Sequence, residues 1–280
     1  MKPILIYVIV CSMILLNYSC KKESETTKFR LLNVTKNTWE GSNIVAVYNY
    51  DELNRLRDIK HLEADMNFIE IFNYSTDGRL LTYENDYNRY SKKTFYYSGD
   101  KLDYLVVSYT NNDHVKRNDT IVFSYDQAGN ISQQVHRNKQ IYSQYFYTCD
   151  EKGRIITMMY GAMGDSTWYT WSTEGNLTKK KVKSRDIETG AYNTYVSLYE
   201  YDSGINFMNS IPYPAAFRFI TSLWPSTMES RNNCISGPLY NTWWLRSGPY
   251  EYSYYNSAGY PDKIKSGETI WDLVYGEYQP

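Results

Sequence analysis

The stretch from Phe123 to Ile131 constrains this chain more than any other. Phe123 and Tyr125 stand two residues apart, which in an extended strand puts both rings on one face. Asp126 can bond the backbone two residues on and open a tight turn, and Gly129 tolerates the positive φ of the turn's last corner. Ile131 then brings an apolar side chain back on the returning strand. The unit is a β-hairpin.

Degenerate copies of the unit run along the chain. Tyr50 precedes Asp51, Asn54 and Leu56; Tyr74 precedes Asp77, Gly78 and Leu80; Tyr97 precedes a turn shorter by one residue, with Gly99 and Leu102. Cys149 takes the place of the aromatic before Asp150, Gly153 and Ile155. Trp171 precedes Gly175 and Leu177, Tyr201 precedes a compressed turn from Asp202 to Ile205, and Tyr255 precedes Asn256, Gly259 and Ile264. All but the last of these anchors lie about 22 to 30 residues apart, room for two ordinary strands and a turn at each end. Tyrosine supplies 31 of the 280 residues and alternates with polar or small neighbours, as half-buried strands require. The expected fold is therefore all-β: an antiparallel meander of repeated β-hairpins, rolled or closed into a barrel-like sheet. Leu53, Leu56, Ile59 and Leu62 recur at helical spacing, yet their place in the repeat argues for a turn and then a strand.

The interval between Tyr201 and Tyr255 breaks the rule. It holds an irregular insert, about residues 203–250, with Pro212, Pro214, Pro225, Pro238 and Pro249. Ala215 to Trp224 follows a proline suited to a helix's first turn and reads as a short helix. Tyr213, Trp224, Tyr240, Trp243 and Trp244 belong to no repeat. They are candidates either to cap one end of the sheet or to bind a ligand, a glycan above all, because sugar rings stack on aromatic faces.

At the N-terminus, Lys2, an apolar run from Ile4 to Leu16 and a small residue before Cys20 describe a signal segment over residues 1–19. The run is too short to span a bilayer as a helix, which takes about 20 residues. It resembles a bacterial lipoprotein signal, in which Cys20 would be lipidated and become the first mature residue. Asn17 and Tyr18 depart from the usual motif, and the relaxed form followed by Lys21 and Lys22 is similar to lipoproteins of Bacteroidota. Ordinary secretory cleavage with an incidental Cys20 is the alternative. Residues 20–30 then read as the lipidated cysteine and a polar tether, and 31–280 as the β domain. The resemblance implies an outer-membrane lipoprotein, with the membrane as one partner and a glycan or another envelope protein as a second. Glu23 and Glu25 only loosely resemble a surface-export signal, so the face of the membrane stays open.

Charge excludes one class of partner. With 30 Lys and Arg against 31 Asp and Glu, the net charge of -1 leaves no footprint for nucleic acid. The one concentrated basic run, Lys179 to Lys183, reads as a solvated strand edge or turn. Catalytic signals are equally sparse. His61, His114 and His136 have no spacing that pairs two on one face and read as surface residues. Asp51, Asp126, Asp150 and Asp202 share one repeat position and read as turn formers. Phosphate loops, nucleophile elbows and zinc spacings are missing from the sequence. An oxidising envelope permits a disulfide between Cys149 and Cys234, although Cys149, in the aromatic column, also reads as a small core residue. The expectation is a non-enzymatic protein without cofactor or metal; an envelope hydrolase whose site forms only in the tertiary structure is the alternative.

The unit resembles the YD repeat of the RHS family, Tyr-Asp followed by Gly-Arg-Leu. The nearest matches are Tyr50 and Asp51 with Arg55 and Leu56; Asp77, Gly78, Arg79 and Leu80; and Asp150 with Gly153, Arg154 and Ile155. The last copy, with Gly259, Tyr260, Pro261, Lys263 and Ile264, resembles the C-terminal signature of a Bacteroidota lipoprotein family of unknown function described as porin-like. That resemblance implies an antiparallel meander with a helical insert before the last repeat, and no catalytic residues. The faces opposite the aromatics, read as carrying Asn73, Lys93, Ser124, Thr148 and Glu200, argue against lipid on the outside and for a water-soluble wall.

Overall fold

The computed structural model describes residues 28–63, 66–87, 91–110, 115–161, 164–211, 230–236 and 249–278. Residues 1–27 with Cys20, His114, the expected helix at 215–224, and Tyr213, Trp224, Tyr240, Trp243 and Trp244 lie outside the described residues.

Alternating sequence becomes strand after strand. The meander runs through β1 (Lys28–Thr38), β2 (Gly41–Tyr50), β3 (Leu56–Glu63), β4 (Met66–Tyr74), β5 (Leu80–Asn85), β6 (Ser91–Ser98) and β7 (Lys101–Thr110). It continues through β8 (Lys116–Tyr125), β9 (Ile131–Arg137), β10 (Gln140–Cys149), β11 (Ile155–Tyr160), β12 (Ser166–Trp171), β13 (Leu177–Arg185) and β14 (Tyr192–Leu198). Each strand pairs antiparallel with the next. After the short strands β15 (Glu200–Ile205) and β16 (Asn232–Ser236), the chain forms β17 (Glu251–Tyr255), β18 (Pro261–Ser266) and β19 (Thr269–Tyr278). β19 returns to pair with β1, so the first strand lies inside a 17-stranded sheet whose edges are β14 and β17.

The fold class expected from the repeat is correct, and its ladder does not close strand to strand. β15 and β16 form a separate two-stranded sheet that spans the gap at one end. Tyr199 N–H donates to Thr178 at 3.1 Å, Ile205 N–H to Gly259 at 3.1 Å and Tyr250 N–H to Ile235 at 2.9 Å, tying the small sheet to both sides. A 3-10 turn, Phe207–Ser210, follows β15; Phe207, Met208 and Ile211 join the apolar core, against which β1 also packs Leu31 and Val34.

The repeat's turn chemistry is as read. Asn54, Gly78, Gly129, Gly153, Gly175 and Gly259 all adopt positive φ at the same turn corner. Asp126 accepts from the Asn130 backbone at 2.9 Å and from its side chain at 2.8 Å. The tyrosines do more than fill the core. Tyr50 donates its hydroxyl to the Leu31 carbonyl (2.6 Å), Tyr74 to Leu56 (2.8 Å), Tyr97 to Leu80 (2.9 Å) and Tyr125 to Leu102 (3.0 Å). Trp171 Nε1 donates to Ile155 (3.0 Å), and the hydroxyls of Tyr201, Tyr252 and Tyr275 donate to Leu177 (2.6 Å), Cys234 (2.9 Å) and Pro261 (2.8 Å). Every repeat but the one anchored by Cys149 is thus pinned to the one before, and the rungs run around the turn end through β15 and β16, where the strand ladder alone leaves a gap. Such a bond contributes about 1 kcal/mol net, and losing its donor leaves a buried carbonyl unsatisfied.

A second ladder covers the first. At five of the eight rungs the residue preceding the buried carbonyl is a cation that lies over the anchor's ring: Arg30 over Tyr50 at 4.7 Å, Arg55 over Tyr74 at 4.6 Å, Arg79 over Tyr97 at 5.6 Å, Lys101 over Tyr125 at 5.1 Å and Arg154 over Trp171 at 5.3 Å. Where the ring is lost the cation is lost with it: Asn130 faces Cys149 and accepts from its backbone N–H at 3.0 Å.

Several expectations need correction. Asp202 to Ile205 is not a hairpin turn but part of β15, in which Asp202 to Gly204 bulge between the Tyr201–Cys234 and Ile205–Asn232 pairs; Asp202 accepts from Gly204 N–H within the bulge (2.9 Å) and from the Tyr255 hydroxyl (2.6 Å). At the last copy the residues turned to the core are Tyr252 on β17 and Tyr250 just before it, whereas the anchor Tyr255 is exposed; the β17–β18 register runs unbroken past Tyr254, which takes positive φ. Lys179 to Lys183 lie within β13, an internal strand of the sheet, not at an edge or turn. Leu56 opens a strand, while Leu53 is exposed in the turn before it.

Candidate functional site

The rungs occupy the turn end of the inner face. Two to five residues further along the strands, the same face changes from apolar to polar. On β3, Leu56 and Ile59 give way to His61; on β4, Phe72 gives way to Glu70; on β5, Leu80 gives way to Tyr83; and on β6, Phe95 gives way to Lys93. These four polar side chains come from adjacent strands and meet. His61 Nε2 lies 2.7 Å from Glu70 Oε1, and the Tyr83 hydroxyl donates to Glu70 Oε2 at 2.6 Å. Asn85 Nδ2 donates to the Tyr83 oxygen at 3.0 Å. The His61 ring stacks on Phe68 with centroids 4.0 Å apart, and Lys93 Nζ lies 5.8 Å from the Tyr83 ring centre.

Burial dominates the electrostatics. It pushes the Tyr83 phenol well above its ordinary range, with the Glu70 carboxylate adding to the effect. Lys93 is half-buried by surface, but enough protein surrounds its ammonium to lower it to about 8, against the opposing pull of Glu70. A buried carboxylate is kept by partners that hydrogen-bond it and offset its charge, and Glu70 has both kinds. Chemically, an amine lowered towards neutrality can act as a nucleophile. A second pair lies further round the inner face, where Arg137 grips Asp119 with two bonds of 3.0 and 2.7 Å, and Tyr109 approaches the same carboxylate at 3.4 Å.

His61 and Lys93 therefore stand where the sequence reading did not put them. His61 is buried, not a surface residue, and Lys93 lies on the aromatic face, not opposite it. The signal was parity: His61 is two residues from Ile59, Glu70 two from Phe72, and Lys93 two from Phe95, so each shares the face of a core residue. The repeat aspartates are turn formers where turns occur: Asp51, Asp126 and Asp150 each bond the backbone of their own turn. Cys149 and Cys234 are not joined as a disulfide; Cys149 packs beside the core as a small residue in the aromatic column, and burial pushes the Cys234 thiol up to about 12. Groups of three or more metal-ligating side chains do not occur among the described residues. None of the described residues forms a helix long and apolar enough to cross a membrane.

No family model matches the chain, and no curated protein matches it. Solved structures do. A porin-like protein from Bacteroides uniformis aligns with a TM-score of 0.37 and 11% identity, covering 60% of this chain and 93% of that one. A porin-like protein from Bacteroides vulgatus aligns with a TM-score of 0.32 and 13% identity, covering 89% of this chain and 99% of that one. The Tc holotoxin pore of Photorhabdus luminescens aligns with a TM-score of 0.31 and 14% identity, covering 78% of this chain and 12% of that one. At these scores neither family nor function follows from the likeness.

Proposed function

We propose that this chain is a lipid-anchored cell-envelope protein of the outer membrane whose repeat wall serves as a non-enzymatic binding or scaffolding module. The observation that carries the reading is the double ladder. The residues that resemble the YD unit spend their polar atoms on neighbouring repeats: tyrosine on carbonyl, arginine on ring, aspartate on turn. A unit used in this way builds a rigid wall and leaves recognition to what the wall carries. The inner polar groups support the same reading, since His61, Glu70 and Tyr83 bond one another, as do Asp119 and Arg137. Attachment rests on Ser19 and Cys20 behind the apolar run, followed by a polar tether. Acylation stabilises membrane attachment by about 0.8 kcal/mol per buried methylene, so a cysteine with several chains is held firmly. Cys20→Ala in cells tests the anchor: after a high-salt wash the variant should leave the membrane fraction while the parent stays, and identical fractionation would remove the lipid from this reading.

A further inference from the structure

Net charge conceals an asymmetry in the sheet. β10, β11, β12, β13 and β14 contain no aspartate or glutamate, whereas β13 alone carries Lys179, Lys180, Lys181, Lys183 and Arg185. Register sorts these residues between the two faces. Lys180 pairs with Tyr169, a core residue, so Lys180 is on the inner face; Lys179, Lys181 and Lys183 pair with Thr170, Trp168 and Ser166 on the outer one. Val196 and Leu198 continue that outer face on β14, Met159 and Phe146 on β11 and β10.

This outer surface is apolar as well as basic. Phe146, Met159, Trp168, Val196 and Leu198 are all exposed, Leu198 to 65%. Lys181 Nζ lies 5.3 Å from the Trp168 ring centre, and Lys183 Nζ lies 4.3 Å from that of Tyr192, so the lysines frame the aromatics. Exposed contiguous apolar side chains mark interaction surfaces. Tryptophan with lysine suits the boundary between water and acyl chains, where the ring lies at headgroup depth and the ammonium reaches the phosphates. A soluble polyanion would engage the lysines and leave the five apolar side chains in water. An anionic bilayer satisfies both.

Chain length points the same way. Residues 21–27 are all that separates Cys20 from the first residue of β1, and a fully extended segment of that size reaches only about 25 Å. A lipid on Cys20 would hold the wall close to the bilayer surface throughout.

We propose that the outward face of β10–β14 docks on an anionic phospholipid bilayer. The proposal rests on the envelope reading for its setting, and its test leaves the lipid out. The mature chain, residues 20–280 with Cys20→Ala, is sedimented with vesicles of phosphatidylglycerol and phosphatidylethanolamine, and separately with phosphatidylcholine alone. It should pellet with the anionic vesicles, stay in solution with the neutral ones, and be released by raised salt. Lys179→Gln, Lys181→Gln and Lys183→Gln combined should weaken partitioning by about tenfold or more, and Trp168→Ala should weaken it at unchanged charge. Lys60→Gln, an exposed lysine on β3, should change nothing. Should the triple variant melt early, Lys181→Glu alone replaces it. Pelleting with neither vesicle, or pelleting indifferent to the β13 lysines, overturns the proposal. So does retention on dextran sulfate that ignores Trp168→Ala together with loss from vesicles, which would mark a polyanion site. Fractionation of Cys20→Ala in cells reports on the anchor alone, so either result can fail without the other.

Discussion

Tyr74 illustrates what the repeat demands of one side chain. Its ring packs beside the core under Arg55 while its hydroxyl occupies the Leu56 carbonyl. Tyr74→Phe keeps the ring and strips the carbonyl of its donor, so it should cost about 1–3 kcal/mol. In a thermal melt each kcal/mol corresponds to about 2–4 °C for a domain of this size; an unchanged melting temperature would show the rung to be idle. Lys93 makes the opposite kind of demand. Its folded value of about 8 lies below the ordinary 10.5, so the unfolded chain binds more protons between those two values. Stability should therefore rise with pH through that window, by at most about 1.4 kcal/mol per pH unit. Below pH 8 both states hold the proton and the cost of burying it is constant. Lys93→Met should abolish the alkaline rise, as urea midpoints at pH 7 and pH 9.5 would report; a rise that persists in the variant belongs to another group.

At the scale of elements, β15 and β16 carry the most unusual task. They turn a sheet with two edges into a wall continuous at one end, and Gly204 allows it. A Cβ there would overlap the Tyr255 ring and lie 2.9 Å from Asn233 Nδ2, so β15 could not approach β17. Gly204→Ala should cost about 1–3 kcal/mol, the range for overpacking a tight contact, and should open the junction first. Urea unfolding followed by limited proteolysis between β14 and β17 would register both effects; a variant as stable as the parent, and no more easily cut, would show the approach to be loose. The aromatic-to-carbonyl rungs have the same bearing on edges. Tyr201 and Tyr252 bond across the junction, where exposed strand edges otherwise invite pairing with other chains.

For the whole molecule, the hairpin and its repetition were legible because strand period and turn chemistry are local: an aromatic pair, an aspartate and a positive-φ corner recur within a few residues of one another. The same locality explains what was misread. Asp202 and Gly204 match the turn pattern, but their neighbours Tyr201 and Ile205 pair with β16, more than 25 residues away, so the segment becomes a bulge in a strand and not a hairpin turn. His61 and Lys93 are polar, and only the curling of β3 to β6 shows that the face they share with Ile59 and Phe95 is an interior. The lysines of β13 are a short basic run in the sequence and, in the sheet, part of a carboxylate-free face five strands wide. The sequence by itself determined the all-β repeat, the turns at Asn54, Gly78, Gly129, Gly153, Gly175 and Gly259, and the break in the rule after Tyr201. The tertiary structure decided that β1 lies between β19 and β2, that the anchors donate to the repeat before them, and that His61, Glu70, Tyr83 and Lys93 meet. Those outcomes depend on contacts between strands and on which face curls inward, and spacing along one strand holds neither.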